Sequence, residues 1–125
     1  MAEAGRCAGV TRKLLPQLVH DSRVDSAVGE EVMAMAQRVG LQAFLRQQRA
    51  IIERPDSEPL LPTIAVPTLL GVGEDDRMTL PEETRLMHER IPGARLHVFA
   101  QCGHLPPMEV PQETAAVLRD WLTTA

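Results

Sequence analysis

Ile64-Ala-Val-Pro-Thr-Leu-Leu-Gly-Val72 is a nearly unbroken apolar run that leads into Gly73-Glu-Asp-Asp-Arg77. Such a run reads as a strand buried on both faces of a parallel sheet. Pro67 is tolerable near the start of that strand, and Gly73 to Arg77 is the loop at its carboxyl end. Downstream, Thr79 and Glu82 match a capping box, and Pro81 suits a first helical turn. The predicted helix runs to about Ile91, where Pro92-Gly93 stops it. Ala94 to Ala100 alternates in polarity and reads as a second strand, followed by the loop Gln101-Cys-Gly-His104. Pro111 opens a last helix with Thr114, Val117, Leu118, Trp121 and Leu122 along its buried stripe. A strand, a helix and a strand within about 35 residues form a βαβ unit, with parallel strands and a right-handed crossover. The predicted fold class is α/β.

Upstream of residue 60 the pattern is helical. Leu14, Leu15, Leu18 and Val19 share one helical face, with Pro16 acceptable only in a first turn. Asp25 or Ser26 caps a second helix, along which Val28, Val32, Met33, Ala36 and Val39 recur at helical spacing. Gly40 interrupts it. Leu41, Phe44, Leu45, Ile51 and Ile52 suggest a third helix ending before Pro55, and Arg54-Pro-Asp-Ser-Glu-Pro59 is a loop by composition.

The 125 residues suit one domain or part of one. Thirteen Lys and Arg against 17 Asp and Glu give a net charge of −4, which excludes a generic nucleic-acid binder. Aromatic residues are only Phe44, Phe99 and Trp121, so base-stacking platforms are not expected. No stretch approaches the roughly 18 consecutive apolar residues of a membrane span. The first ten residues have no secretory pattern. Two cysteines, Cys7 and Cys102, make no disulfide framework. A reducing, cytoplasmic location is the expectation.

In parallel α/β sheets, ligands bind at the carboxyl ends of the strands. Two loops leave those ends here: one carries Glu74, Asp75 and Asp76, the other Cys102, Gly103 and His104. Neighbouring strands lie about 4.8 Å apart, so a carboxylate of the first loop reaches the imidazole of the second. An acid that fixes the tautomer of a histidine is two-thirds of a hydrolytic triad. Gly103 is expected to let the chain turn sharply before the histidine.

Val66-Pro-Thr-Leu-Leu-Gly-Val-Gly-Glu-Asp-Asp76, Ile91-Pro-Gly-Ala-Arg-Leu96 and Cys102-Gly-His-Leu105 with Glu109 and Pro111 resemble the C-terminal third of α/β-hydrolase fold enzymes. More weakly, Val39-Gly40, Phe44, Gln47 to Ala50 and Arg54-Pro-Asp-Ser57 resemble the cap, or lid, region of that family. The resemblance implies a helical cap segment over residues 1–60 and a C-terminal βαβα part of the hydrolase core over residues 61–125. It implies His104 as the catalytic base and Asp76 as the acid that orients it, with Asp75 as the alternative that points away or braces the loop. Phe44 and Met33 are the candidates to line a substrate channel. The implied chemistry is hydrolysis of an ester-like bond in a small-molecule substrate, with no metal and no organic cofactor.

The departure from the family is the nucleophile. Its members present serine in a Gly-x-Ser-x-Gly elbow ahead of the acid and the histidine. Here the serines are Ser22, Ser26 and Ser57, each preceded by Asp and none in an elbow. The chain therefore reads as the acid-and-histidine portion of such an enzyme, inactive alone. An incomplete sheet has an open edge and an uncovered face, which predicts either a homo-oligomer or pairing with the missing N-terminal half. The competing class is a non-catalytic, self-associating module.

Some residues have plainer readings. Asp76 alone is equally a turn cap before Arg77, and His104 alone a satisfied structural histidine. Cys102 reads as a small apolar residue behind His104, since no second Cys/His pair completes a zinc site. Cys7 reads as inert, and His20, His88 and His97 have no motif around them. Met33 and Met35 equally fill core.

Overall fold

The computed structural model describes residues 12–124; Cys7 and the start of the predicted cap segment lie outside them. Two parallel strands form the sheet: β1, Leu69–Gly73, and β2, Arg95–Phe99, in the register Leu69 to Arg95 through Gly73 to Phe99. The helices are α1, Leu15–Leu18; α2, Ala27–Glu53; α3, Pro81–Arg90; α4, Pro106–Glu109; and α5, Pro111–Thr124. The α3 helix is the crossover between the strands and packs against both. The predicted βαβ unit is present.

The apolar run divides differently from the sequence reading. Glu58–Thr63 winds into a short 3-10 helix with Pro59 in its first turn, and the strand starts only at Leu69. The ladder begins where the N–H of Arg95 donates to the carbonyl of Thr68. Pro67, just upstream, has no N–H to offer a neighbouring strand. Burial on both faces is not found either: Gly71 is exposed, Leu69 and Leu70 are half-buried, and Val66 is 67% exposed. Only one neighbouring strand covers β1, so only Val72 and Gly73 at its carboxyl end are buried.

The helical half has its own apolar centre. Leu15, Val19 and Val32 are buried together, with Leu105 and Met108 from beyond β2 packed on them. This contact brings the segment after α1 against the loop that carries His104. The helix α1 is a single turn with Pro16 in it, as the ring requires. Ser26 caps α2 by accepting the N–H of Val28. The two predicted helices on either side of Gly40 are both present, joined without a loop. Gly40 has φ 76° and ψ 164° and breaks α2 into two rods. That region of conformational space is open essentially to glycine alone.

The predicted capping box at Thr79 is absent. The N-cap of α3 is Leu80, which makes no side-chain cap. The Thr79 hydroxyl turns back to Asp76 instead, because that carboxylate gathers the donors of its own loop. The stripe of α5 is only partly covered: Thr114, Val117 and Trp121 are half-buried, whereas Leu118 and Leu122 are exposed.

Candidate active site

Both strand-end loops are tied together by main chain. The N–H of Glu74 donates to Phe99 and that of Asp75 to Cys102, at 2.8 and 2.9 Å. The approach is close enough to require glycine at the end of β1. A Cβ on Gly73 would fall 2.0 Å from the carbonyl oxygen of Gly103 and 2.4 Å from that of Cys102. Gly103 itself is needed for closeness and not for a turn, since a Cβ there would meet the main chain of Val19 at 2.8 Å. The sharp turn expected at Gly103 is made by Gln101, whose φ is 49°.

This arrangement brings Asp76 and His104 together. Nδ1 of His104 lies 2.9 Å from Oδ2 and 3.1 Å from Oδ1 of Asp76. Asp76 is 6% exposed and its carboxylate is saturated with donors. It accepts the N–H groups of Met78 and Thr79 at 2.9 and 3.0 Å, and the hydroxyl of Thr79 at 3.1 Å. Burial alone would raise its pKa. The Thr79 N–H, the His104 ring and the Met78 N–H outweigh burial and hold the carboxyl below its ordinary value. An ionised carboxylate only accepts, so Nδ1 of His104 carries the proton and Nε2 is left with its lone pair. Among the described residues, Nε2 has no hydrogen-bond partner.

Asp75 serves a different histidine. Its carboxylate lies 3.7 Å from Nε2 of His20. Nδ1 of His20 meets the Ser22 hydroxyl at 2.7 Å and caps the 3-10 turn Asp21–Arg23. Ser26 is spent on capping α2. No described serine hydrogen-bonds His104.

Sequence reading gave Glu109 no role, yet its buried carboxylate organises the histidine loop. It accepts the N–H of Gly103, of Leu105 and of His20, at 2.7 to 3.2 Å. The N–H of His104 itself donates to Leu18 at 2.9 Å. The main chain is therefore pinned on both sides of the imidazole. Arg77 holds the other loop, pairing with Asp21 through both guanidinium nitrogens and donating to the carbonyl of Pro16. Cys102 is fully buried, and burial together with Glu109 pushes its thiol up to about 12, so it is no nucleophile at neutral pH.

Beside His104 lies a cavity of about 440 Å³. Val32, Met35 and Val39 line it from the first rod of α2, and Phe44 and Ile51 from the second. Phe44 is thus placed beside His104. Met33 is not: it packs on the Leu15–Val19–Val32 cluster, one residue off the stripe that faces the cavity. Met35, which shares that stripe at i+3 from Val32, takes the position instead. Among the described residues, no group of three His, Cys, Asp or Glu side chains is arranged to hold a metal ion. No helix among them is long and apolar enough to cross a membrane.

The sequence profile described as the alpha/beta hydrolase family matches residues 4–117. The chain belongs to the alpha/beta hydrolase family. Within this family it is 33% identical over 106 residues to the pimeloyl-(acyl-carrier protein) methyl ester esterase of Neisseria meningitidis, covering 85% of this chain and 34% of that enzyme. It is 37% identical over 62 residues to the proline iminopeptidase of Lactobacillus acidophilus, covering 50% of this chain and 21% of the peptidase. Among solved structures, a thermophilic esterase from Thermogutta terrifontis superposes with a TM-score of 0.84 at 34% identity, over 89% of this chain and 42% of the esterase. The two-stranded unit and its helices are thus part of an alpha/beta hydrolase fold with esterase-like relatives. The chain spans about a third of the Neisseria enzyme.

Proposed function

We propose that this chain carries the base and the acid of a Ser-His-Asp ester hydrolase. His104 is the base and Asp76 the acid that orients it, and residues 12–60 form a cap over the site. The observation that carries the reading is the bond between Nδ1 of His104 and the buried Asp76 carboxylate. It leaves Nε2 basic beside an apolar cavity. In the reaction, Nε2 takes the proton of a serine hydroxyl as that oxygen attacks the ester carbonyl. It then returns the proton to the leaving alkoxide, and the released alcohol and acyl-serine follow. A second cycle with water frees the acid, while Asp76 stabilises each imidazolium. This chain has no serine elbow, and in the family's chain order that elbow precedes the acid and the histidine, so the reading requires a nucleophile supplied from outside these 125 residues.

The test is a chimera in which residues 12–125 replace the matched segment of the Thermogutta esterase. It should hydrolyse 4-nitrophenyl butyrate, and His104→Ala should cut kcat by about three orders of magnitude or more. A folded chimera that is inactive, or whose activity survives His104→Ala, overturns the reading. This chain by itself should be no faster than free imidazole at equal concentration.

The exposed side chains of Ile52, Val66 and Leu122 favour a second reading, a self-associating module without activity. The two readings separate by sedimentation: self-association predicts a mass that rises with concentration, and a complementing portion predicts a monomer until the partner is added.

A further inference from the structure

The cavity beside His104 has a chemical character that narrows what it takes. Its two walls from α2 meet at the Gly40 break, and the residues that face it, such as Val32, Met35, Phe44 and Ile51, are hydrocarbon or thioether. Its polar members are the uncharged carboxamides of Gln47 and Gln48 and the imidazole of His104. Among the described residues, no Lys, Arg, Asp or Glu lines it. The charged residues of α2 are occupied elsewhere: Arg38 pairs with Glu31, Arg49 lies near Glu53, and Arg46 lines a separate surface hollow with Gln42 and Leu45. At about 440 Å³ the cavity falls in the roughly 300–1,000 Å³ range of small-molecule sites.

We infer that this cavity binds the uncharged hydrocarbon portion of an ester and discriminates against the same chain ending in a carboxylate. An aliphatic chain or small ring gains by leaving water for walls of this kind. A carboxylate at its far end loses hydration and finds no cation among the described lining residues to pair with. The ester group then lies toward His104, an orientation that rests on the role proposed for that residue. Occupancy of the cavity by the hydrocarbon does not rest on it.

Binding to the purified chain tests the inference without catalysis. With 13C-methyl-labelled methionine, the Met35 signal reports the cavity, and Met78, exposed on the Asp76 loop, serves as the control. Methyl heptanoate should shift Met35 saturably and leave Met78 unmoved. Monomethyl adipate, charged at the far end, should bind at least about tenfold more weakly. Val39→Lys, at a half-exposed wall position that tolerates a long side chain, should narrow or reverse that ratio. The readout is binding without turnover, so failure of the proposed base and failure of the cavity are read separately. Equal affinity for the two esters overturns the inference. So does no saturable shift, or a Met35 signal that moves with protein concentration and is indifferent to ligand, which would assign the cavity to a second copy of the chain.

Discussion

Both carboxylate oxygens of Glu109 accept the main-chain N–H of Gly103, at 3.0 and 3.2 Å, and one of them also accepts that of Leu105. One buried side chain thus fixes the residues before and after His104. In Glu109→Gln, an amide NH2 replaces an acceptor among main-chain donors. The variant should lose about 1–3 kcal/mol of unfolding free energy in urea. The His104 ring should also lose its single tautomer, read as averaged 15N ring shifts. A variant with full stability and an unchanged ring spectrum would show that the pinning is idle.

Gly40 separates the two rods of α2 with φ 76° and ψ 164°, while a Cβ there would touch nothing. The cost of Gly40→Ala is therefore conformational and not steric, about 1–3 kcal/mol. The strain is relieved if the break closes into continuous helix. Circular dichroism should then show helix gained and the Met35 methyl signal should move. An unchanged spectrum with unchanged stability counts against the break as a determinant of the cavity.

The lowered pKa of Asp76 has a definite sign in stability. Its folded carboxyl binds protons less readily than an unfolded one, whose value is near 3.8. The group's contribution is thus fully present well above that value and is lost as pH falls through the lower folded pKa. The stability gap between the parent chain and Asp76→Asn should shrink as pH falls below about 4, measured by urea unfolding. A gap that fails to shrink below about pH 4 contradicts the assignment.

Cys102 is buried and its thiol is pushed up to about 12, so iodoacetamide at pH 8 should leave it unmodified in the folded chain. In urea it should alkylate readily. Peptide mass after digestion separates it from Cys7. Rapid native alkylation of Cys102 would mean that the His104 loop opens to solvent.

The type and order of elements after residue 60 were legible because glycine and proline punctuate them: Gly73 ends β1, Pro92-Gly93 ends α3 and Pro111 starts α5. The meeting of Asp76 and His104 was legible because parallel neighbours carry their loops to one end of the sheet. The start of β1 was misread because apolarity says nothing of the N–H that Pro67 lacks. Thr79 was misread as a cap because the pattern does not show that Asp76 competes for its hydroxyl. Met33 and Met35 were not separable because tertiary packing decides which face of the first rod meets the core cluster and which the cavity. Glu109 was legible only as part of the family resemblance and not in its role, because its partners are main-chain N–H groups, which every residue but proline possesses.

At Gly73 no methyl group fits between the two strand-end loops, and at Gly103 none fits against the main chain of Val19. The approach of the Asp76 and His104 loops is thus limited by backbone packing, whereas most of the cavity wall is side chains of a different element, α2. Chemistry and selectivity therefore reside in parts of the chain that mutate under different rules. On the proposed reading, substitutions along α2 alter what is accepted while leaving the Asp76–His104 bond at its spacing. Substitutions at either glycine disturb the Asp76–His104 geometry itself, so a search for altered binding has its freedom in residues 32–51 and none at the strand end.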